Sequence, residues 1–337
     1  MHFLITGHTG FKGSWLTHLL IERGHQVSGI ALDPEVNSLF TTTDVRDFLE
    51  HDIRCDIRSL EELQKHFKAV NPDVVIHLAA KALVRDSYRN PLVTFETNVV
   101  GTINVLKSSQ MVKKLRAQLI VTTDKVYKNV NKPIGYLETD PLGGQDPYSA
   151  SKAMADIATQ SWLSSFENAP TAIARAGNVI GGGDVCADRL IPDLVKSYRA
   201  GVTPALRAPY SVRPWQHVLD CLNGYLILVD ALTAGKGDGA WNFVPVESQV
   251  RTVADVSEIA SSVWSVDDKW VHDSVVHPHE SSLLLLNSDK ARTELGWKDK
   301  LDFEESVKLT MNWYRNVHEG KNPLDETLEN IHAFESR

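Results

Sequence analysis

The sequence predicts an α/β fold, a Rossmann-type doubly wound parallel sheet with a smaller mixed α/β carboxy-terminal region. Three observations predict it. The chain opens on strand, glycine turn and helix; further short apolar runs follow at intervals filled by helical patterns; and beyond about residue 178 that alternation gives way to a different texture.

The elements follow in order. His2-Phe3-Leu4-Ile5-Thr6 is a short apolar run that meets Gly7-His8-Thr9-Gly10-Phe11-Lys12-Gly13 and then the amphipathic segment from Ser14 to Ile21. Gly7 allows a tight turn, Gly10 lets the backbone approach a pyrophosphate, and Gly13 lets the helix pack on the strand, with the anion facing the helix amino end. The spacing G-x-x-G-x-x-G is a variant of the dinucleotide fingerprint. A second strand, Val27 to Leu32, leads to Asp33, whose carboxylate could accept hydrogen bonds from an adenosine ribose and repel a 2′-phosphate; a strand ending at Ala31 would offer no carboxylate. No Arg or Lys lies between Pro34 and Phe40, which favours NAD over NADP. Further strands are expected at His51 to Ile57, Val74 to Leu78, Leu119 to Thr123 and Thr171 to Arg175.

After these, Gly181-Gly182-Gly183-Asp184 is expected to be a flexible loop. Helical patterns run from Arg189 to Ala200, Val218 to Leu232, Thr252 to Trp264 and Phe303 to Arg315, with a basic segment from Val212 to His217. The expected division is residues 1–178, mainly dinucleotide-binding, and 179–337, mainly substrate-binding, with some later segments returning to the sheet and the cleft between the parts as the substrate site. Glu319 to Arg337 is polar enough to be a poorly anchored tail.

Composition bounds the function. At 42% hydrophobic and 23% charged the chain is ordinary for a globular protein, and a net charge of −8 argues against nucleic acid or an anionic membrane as partner. Cys55, Cys186 and Cys221 are odd in number and widely spaced, so neither a disulfide framework nor a thiolate metal site is supported, and a reducing cytoplasm fits. A strand beginning at residue 2 leaves no room for a signal peptide, and apolar runs such as 225–229 and 283–286 are too short to span a bilayer. His272, His277 and His279 lie close together without a zinc spacing and read as surface or sugar-side residues; no metal is expected.

The chemistry concentrates in two runs. Thr122-Thr123-Asp124-Lys125 ends a buried strand, where charges need partners or a task. Tyr148-Ser149-Ala150-Ser151-Lys152 opens a helix behind the N-cap and first-turn pair Asp146-Pro147, and Tyr148 and Lys152, four apart, share one face. A lysine ammonium beside a phenol favours the phenolate, which makes a general base, and Thr123 could bond the same substrate hydroxyl.

Taken together, Gly7-x-x-Gly10-x-x-Gly13, His77-Leu78-Ala79-Ala80, Asn98, Thr123 and Tyr148-x-x-x-Lys152 resemble the extended short-chain dehydrogenase/reductase family, whose members act on nucleotide sugars. The blocks Gly7 to Trp15, Asp124-Lys125, Pro141 to Lys152, Ala174 to Asp184 and Val212 to Asp220 are similar to its 4,6-dehydratase branch acting on CDP-glucose, whereas dTDP-glucose relatives carry Asp-Glu in place of Asp124-Lys125. The resemblance implies NAD as cofactor, a nucleotide-sugar substrate, deoxysugar biosynthesis and a homodimer or higher homo-oligomer paired through 91–107 and 147–166. It implies that Tyr148 takes the sugar 4-hydroxyl proton, Lys152 tunes it, Lys125 removes the carbon 5 proton and Asp124 protonates the departing 6-hydroxyl. It further implies that Asp56 and Ile57 flank the adenine, that Leu78, Ala79, Ala80, Lys81, Asn98 and Thr122 line the cofactor with Phe11 and Lys12, and that Asn178, Arg189, Arg213 and His217 face the nucleotide diphosphate or sugar. Lys81 stands where relatives often carry glutamine, and Cys221 where they often carry proline. A nucleotide-sugar 4-epimerase or a dehydratase for another base is the rival enzyme reading, although an epimerase has no evident use for an Asp-Lys pair; an NAD-binding redox sensor is the rival without catalysis.

Overall fold

A computed structural model describes residues 1–246, 251–267, 269–273, 275 and 283–337. At its centre lies one sheet of β1 (His2–Thr6), β2 (Gln26–Ala31), β3 (His51–Arg54), β4 (Val74–His77), β5 (Ala117–Val121), β6 (Thr171–Ala176) and β7 (Gly239–Phe243). The order is β7-β6-β5-β4-β1-β2-β3, and all neighbours run parallel. From β1 the chain winds outward to β2 and β3, then returns to β4 on the other side. This reversal opens a crevice at the carboxyl ends of β1 and β4, where doubly wound sheets bind ligands.

The strands read as near-continuous apolar runs because both faces are covered. Alternate residues of β1 and β4 feed separate cores: Phe3, Ile5, Val74 and Ile76 pack with Trp15, Leu16 and Leu19 on one side, while Leu4 and Val75 pack with Leu63, Phe67 and Val105 on the other. The larger core continues through the helix Val218–Thr233 into Trp297, Met311 and Phe334, so the carboxy-terminal helices close over the same face as the first helix. Among the described residues no helix is long and apolar enough to cross a membrane, and no cluster of side chains could hold a metal ion.

β7 is one later segment that returns to the sheet; it adds to β6 as the edge, in register from Gly239↔Ala172 to Phe243↔Ala176. Three expectations change. The triple-glycine segment is packed: the Gly182 carbonyl accepts the Trp15 indole N–H at 2.9 Å, and a Cβ on Gly182 would lie 2.2 Å from the Trp313 ring. The polar tail is a helix, Pro323–Glu335, capped by Asn322 and anchored by buried Thr327, Ile331 and Phe334. Their spacing of four and three residues is helical, but two large apolar residues among many polar ones gave too thin a stripe to read. β2 ends at Ala31, the residue paired with Arg54 of β3, so Asp33 falls outside the sheet. His272 is exposed, whereas His277 and His279 lie outside the described residues.

Candidate active site

The glycine turn fixes one end of a cleft of about 1110 Å³ at the carboxyl edge of the sheet. Gly7 has φ +83°, and a Cβ there would lie 2.6 Å from the Ala79 nitrogen; a Cβ on Gly13 would lie 2.2 Å from the Gly7 carbonyl oxygen. Close contact of turn, helix and β4 therefore requires both glycines. The first helix, Phe11–Glu22, begins with no side-chain cap and no acidic residue in its first turn, so its leading amides are left for a ligand. Gly10, Phe11 and Lys12 line the cleft, and Lys12 Nζ rests 3.3 Å from the buried Tyr225 hydroxyl. An anionic pyrophosphate fits this end.

Asp56, Ile57, Leu78, Ala79, Ala80, Lys81 and Thr122 also line the cleft. Asp56 holds Arg58 through both carboxylate oxygens, at 2.7 to 3.1 Å, which keeps its acid low. Asn98 is not a lining residue. It is buried behind Lys81, where its side chain accepts from the Lys81 amide at 2.8 Å, donates to the Lys81 carbonyl at 3.0 Å and donates to Ser151 Oγ at 2.8 Å. It sets the cleft wall without facing the cavity. Asp33 is not a lining residue either: its side chain is 93% exposed and pairs with Arg54 at 3.3 Å, and Glu35 lines the cleft instead. A strand end at Ala31, two residues before Asp33, left the carboxylate outside the sheet, and register with β3 brought an arginine that no local scan of β2 could reveal.

The two chemical runs do meet. Thr123 caps a short 3-10 turn, Asp124–Val126, and donates from Oγ1 to Asp124 Oδ1 at 2.8 Å. Asp124 is fully buried, and Lys125 Nζ lies 3.2 Å from the same oxygen while its side chain stays one-third exposed to the cleft. Asp124 Oδ2 has no hydrogen-bond partner and lies against Gly177, where a Cβ would come within 2.1 Å of it. Tyr148 and Lys152 enter on the helix Pro147–Ser165, begun by Asp146 accepting from the Ser149 amide as the sequence requires.

Electrostatics at the phenol depart from expectation. Burial pushes the Tyr148 hydroxyl up from its ordinary value, opposed by the Lys125 cation and a hydrogen bond with Thr123. Lys152 donates instead to the Val121 carbonyl at 2.8 Å; burial and the Lys12 cation pull it down to about 8, against the pull of Asp156. The cation that favours the phenolate most is thus Lys125 rather than Lys152.

At the far end, Asn178, Arg189 and Arg213 line the cleft. Asn178 has φ +43° and a buried Oδ1 without a partner, and Arg189 is braced by Asp184 at 2.8 Å. His217 does not line it. Its Nδ1 accepts from the Leu219 amide as N-cap of the helix Val218–Thr233, its ring packs edge-on against Trp15, and burial brings its pKa down to about 3. Asp188, which the sequence does not mark, also lines the cleft; it accepts from Arg85 at 2.9 Å and, through its carbonyl, from Arg207 at 3.0 Å. Partners 103 and 19 residues away leave no periodic signal.

Such a sheet, glycine turn and Thr-Tyr-Lys set define an extended short-chain dehydrogenase/reductase. The chain belongs to the GDP-mannose 4,6 dehydratase family, whose sequence profile matches residues 4–310. It is 40% identical to a CDP-glucose 4,6-dehydratase of Salmonella typhimurium over 95% of this chain and 92% of that one. A dTDP-glucose 4,6-dehydratase of Shigella flexneri is 27% identical over 93% and 92%. Among solved structures, a dTDP-glucose 4,6-dehydratase of Streptomyces venezuelae with NAD bound shares the fold with a TM-score of 0.82 at 24% identity, covering 96% of this chain and all of that one. A UDP-glucose 4-epimerase of Thermotoga maritima with UDP-glucose does so with 0.80 at 22%, covering 94% and 100%.

Proposed function

We propose that the protein is an NAD-dependent hydro-lyase that converts CDP-D-glucose to CDP-4-keto-6-deoxy-D-glucose and water. The observation that carries this reading is the Asp124–Lys125 pair at 3.2 Å in the same cleft as Tyr148. Bound NAD would supply a hydride acceptor for carbon 4 of the sugar and, once reduced, a hydride donor for carbon 6. Tyr148 takes the 4-hydroxyl proton, and Thr123 holds the phenol. Lys152, fixed to the Val121 carbonyl at the end of β5, lines the same cleft, where its charge would act on Tyr148 and the cofactor. Lys125 then removes the proton from carbon 5, which the adjacent ketone has acidified, while Asp124 gives a proton to the leaving 6-hydroxyl. An ammonium beside a carboxylate and an amine beside a carboxylic acid hold the same protons, so one proton moving across the contact supplies base and acid together. Water leaves as the hydroxyl and the Asp124 proton; as hydride arrives at carbon 6, Lys125 returns its proton to carbon 5, and the proton held by Tyr148 replaces the one Asp124 gave up, so side chains and cofactor end as they began.

The glycine turn, Phe11, Lys12, Asp56, Ile57 and Leu78 to Lys81 would hold the dinucleotide, and Asn178, Arg189 and Arg213 the substrate diphosphate, for which a guanidinium fork is suited. The 40% identical relative named for CDP-glucose supports the base. We also infer a homo-oligomer in a reducing cytoplasm: the helices Pro91–Phe95 and Pro147–Ser165 pack together and carry exposed Leu92, Met154 and Ile157, and the three cysteines are free.

The test is incubation of the purified protein with CDP-glucose and NAD, read by mass spectrometry for loss of one water, with dTDP-, UDP- and GDP-sugars in parallel. Water loss from CDP-glucose is the expected result. Loss from another nucleotide sugar alone would discard the substrate, and an epimerised sugar without water loss would discard the dehydratase.

A further inference from the structure

A buried ion pair lies directly behind the chemical turn. Arg175, at the end of β6, binds Asp156 of the helix Pro147–Ser165 through two parallel bonds, Nε to Oδ2 at 2.9 Å and Nη2 to Oδ1 at 2.8 Å. Both side chains are at most 1% exposed. Pairs so deep are expensive to desolvate and contribute little net stability, so their retention points to a task.

Their remaining bonds give that task a location. Thr122 Oγ1 donates to Asp156 Oδ2 at 3.1 Å, and Arg175 Nη1 donates to the Tyr127 hydroxyl at 2.8 Å and the Glu138 carbonyl at 3.0 Å. Tyr127 in turn donates to Asn242 Oδ1 at 2.7 Å and stacks on Tyr136. Thr122 and Tyr127 are the two residues that bracket Thr123, Asp124, Lys125 and Val126. One ion pair therefore grips both ends of the turn that carries the acid and the base. Asp156 also sits four residues after Lys152 and eight after Tyr148, on the same helix face.

We propose that the Arg175–Asp156 pair is a positioning device that holds the Asp124–Lys125 turn in register with the Tyr148–Lys152 helix, so that one bound sugar meets the groups for oxidation and for elimination in turn. The inference rests on the dehydratase reading above. None of the bracing residues transfers a proton; Arg175, Asp156, Thr122 and Tyr127 act through the turn. Tyr148 and Lys152 have anchors of their own, the Ser87 hydroxyl that accepts from the Tyr148 amide at 3.1 Å and the Val121 carbonyl. Release of the turn should accordingly slow elimination more than oxidation at carbon 4.

Tyr127→Phe frees one end without changing the ring, and Thr122→Val frees the other. Each is expected to lower kcat about tenfold through misplacement of the turn, with KM for CDP-glucose within about twofold. In both, the bound cofactor should accumulate as NADH during turnover, visible by absorbance. Thr122→Ser, which keeps the donor, should restore wild-type behaviour. If either folded variant loses melting temperature yet keeps wild-type kcat, KM and NADH level, the pair serves stability alone and the proposal is overturned. Wild-type protein run alongside separates the two layers of the argument: no water loss from CDP-glucose in wild type would overturn the dehydratase reading and the inference with it.

Discussion

Gly177→Ala tests the placement of Asp124 more sharply than removal of the acid itself. The new methyl carbon would lie 2.1 Å from Asp124 Oδ2, 2.4 Å from its Cγ and 2.8 Å from its Cβ. An ordinary carbon–oxygen contact needs well over 3 Å, roughly, so the carboxylate must retreat by about 1 Å. It has little freedom to do so, because Oδ1 is held by Thr123 at 2.8 Å and Lys125 at 3.2 Å and the side chain is fully buried. Overpacking of this kind costs about 1–3 kcal/mol of stability, and a displacement of that size in a reacting group costs about a hundredfold in rate. The expected variant binds CDP-glucose normally, oxidises carbon 4, accumulates NADH and loses water about a hundred times more slowly. Thermal melting with turnover followed by mass spectrometry measures both parts. In the double variant Gly177→Ala, Asp124→Ala the two carboxylate contacts disappear and only the 2.8 Å approach to Cβ remains, so stability should recover in part while elimination stays lost. Wild-type kcat in Gly177→Ala would refute the assignment of Asp124 as the acid in its present position.

Other outcomes follow from the same geometry. Lys125→Ala should abolish water loss while leaving some transient NADH absorbance, and a fully active variant would remove Lys125 from the mechanism. With Lys152 pulled down to about 8, kcat/KM should fall as pH rises past that value, and Lys152→Arg, which stays charged, should move this alkaline limb upward. Burial lowers His18 to about 4 and His77 and His217 to about 3, so in each the unfolded chain takes up a proton first and stability is lost as pH falls below about 6.5. Asp220, raised to about 7 by burial, works the other way and gains stability as pH falls toward its unfolded value. From pH ~6.5 to ~5.5 these three histidines each cost about 1 kcal/mol and Asp220 returns about 1; His18→Asn should accordingly make the melting temperature less sensitive to pH over this interval, and an unchanged pH dependence in that variant would refute the assignment. Phe334→Ala, which empties a fully buried site under the last helix, should cost about 3–5 kcal/mol in denaturant unfolding, whereas a loose tail would show no change.

What could be read from sequence was contiguous. The glycine turn, the Thr123-Asp124-Lys125 run and Tyr148 with Lys152 each lie within one short segment, and the fold brings whole segments to the sheet's carboxyl edge. Partners reached across the fold were illegible. Arg175 finds Asp156 19 residues back and Tyr127 48 residues back, and no pattern of period 2 or 3.6 encodes those distances. Only the spacing of Asp156 from Lys152, four residues on one helix face, hinted at it. Asp33 and His217 stand outside the cleft lining for another reason: both are polar residues at element ends, where a shift of two residues decides between ligand contact, solvent and a helix cap. Asn98 stood in a recognisable position, but a side chain that clasps a peptide from behind has the same sequence signature as one that lines a cavity.

The pairing of lysine with aspartate also bears on why this turn can be buried at all. Asp124 is fully enclosed, and a lone carboxylate there would meet a desolvation cost that only a close cation or a proton can offset. Lys125 offsets it as an ion pair, and its partial exposure lets the ammonium keep water on the cleft side. A glutamate in that position would put a second anion beside the first, and the two carboxyls would have to share a proton. The Asp-Lys turn reaches the same count of one acid and one base from a net neutral pair. Its chemistry then depends on where one proton sits, and that depends on geometry: the distance from Lys125 to Asp124, the wall formed by Gly177, and the ion pair that grips the turn at Thr122 and Tyr127.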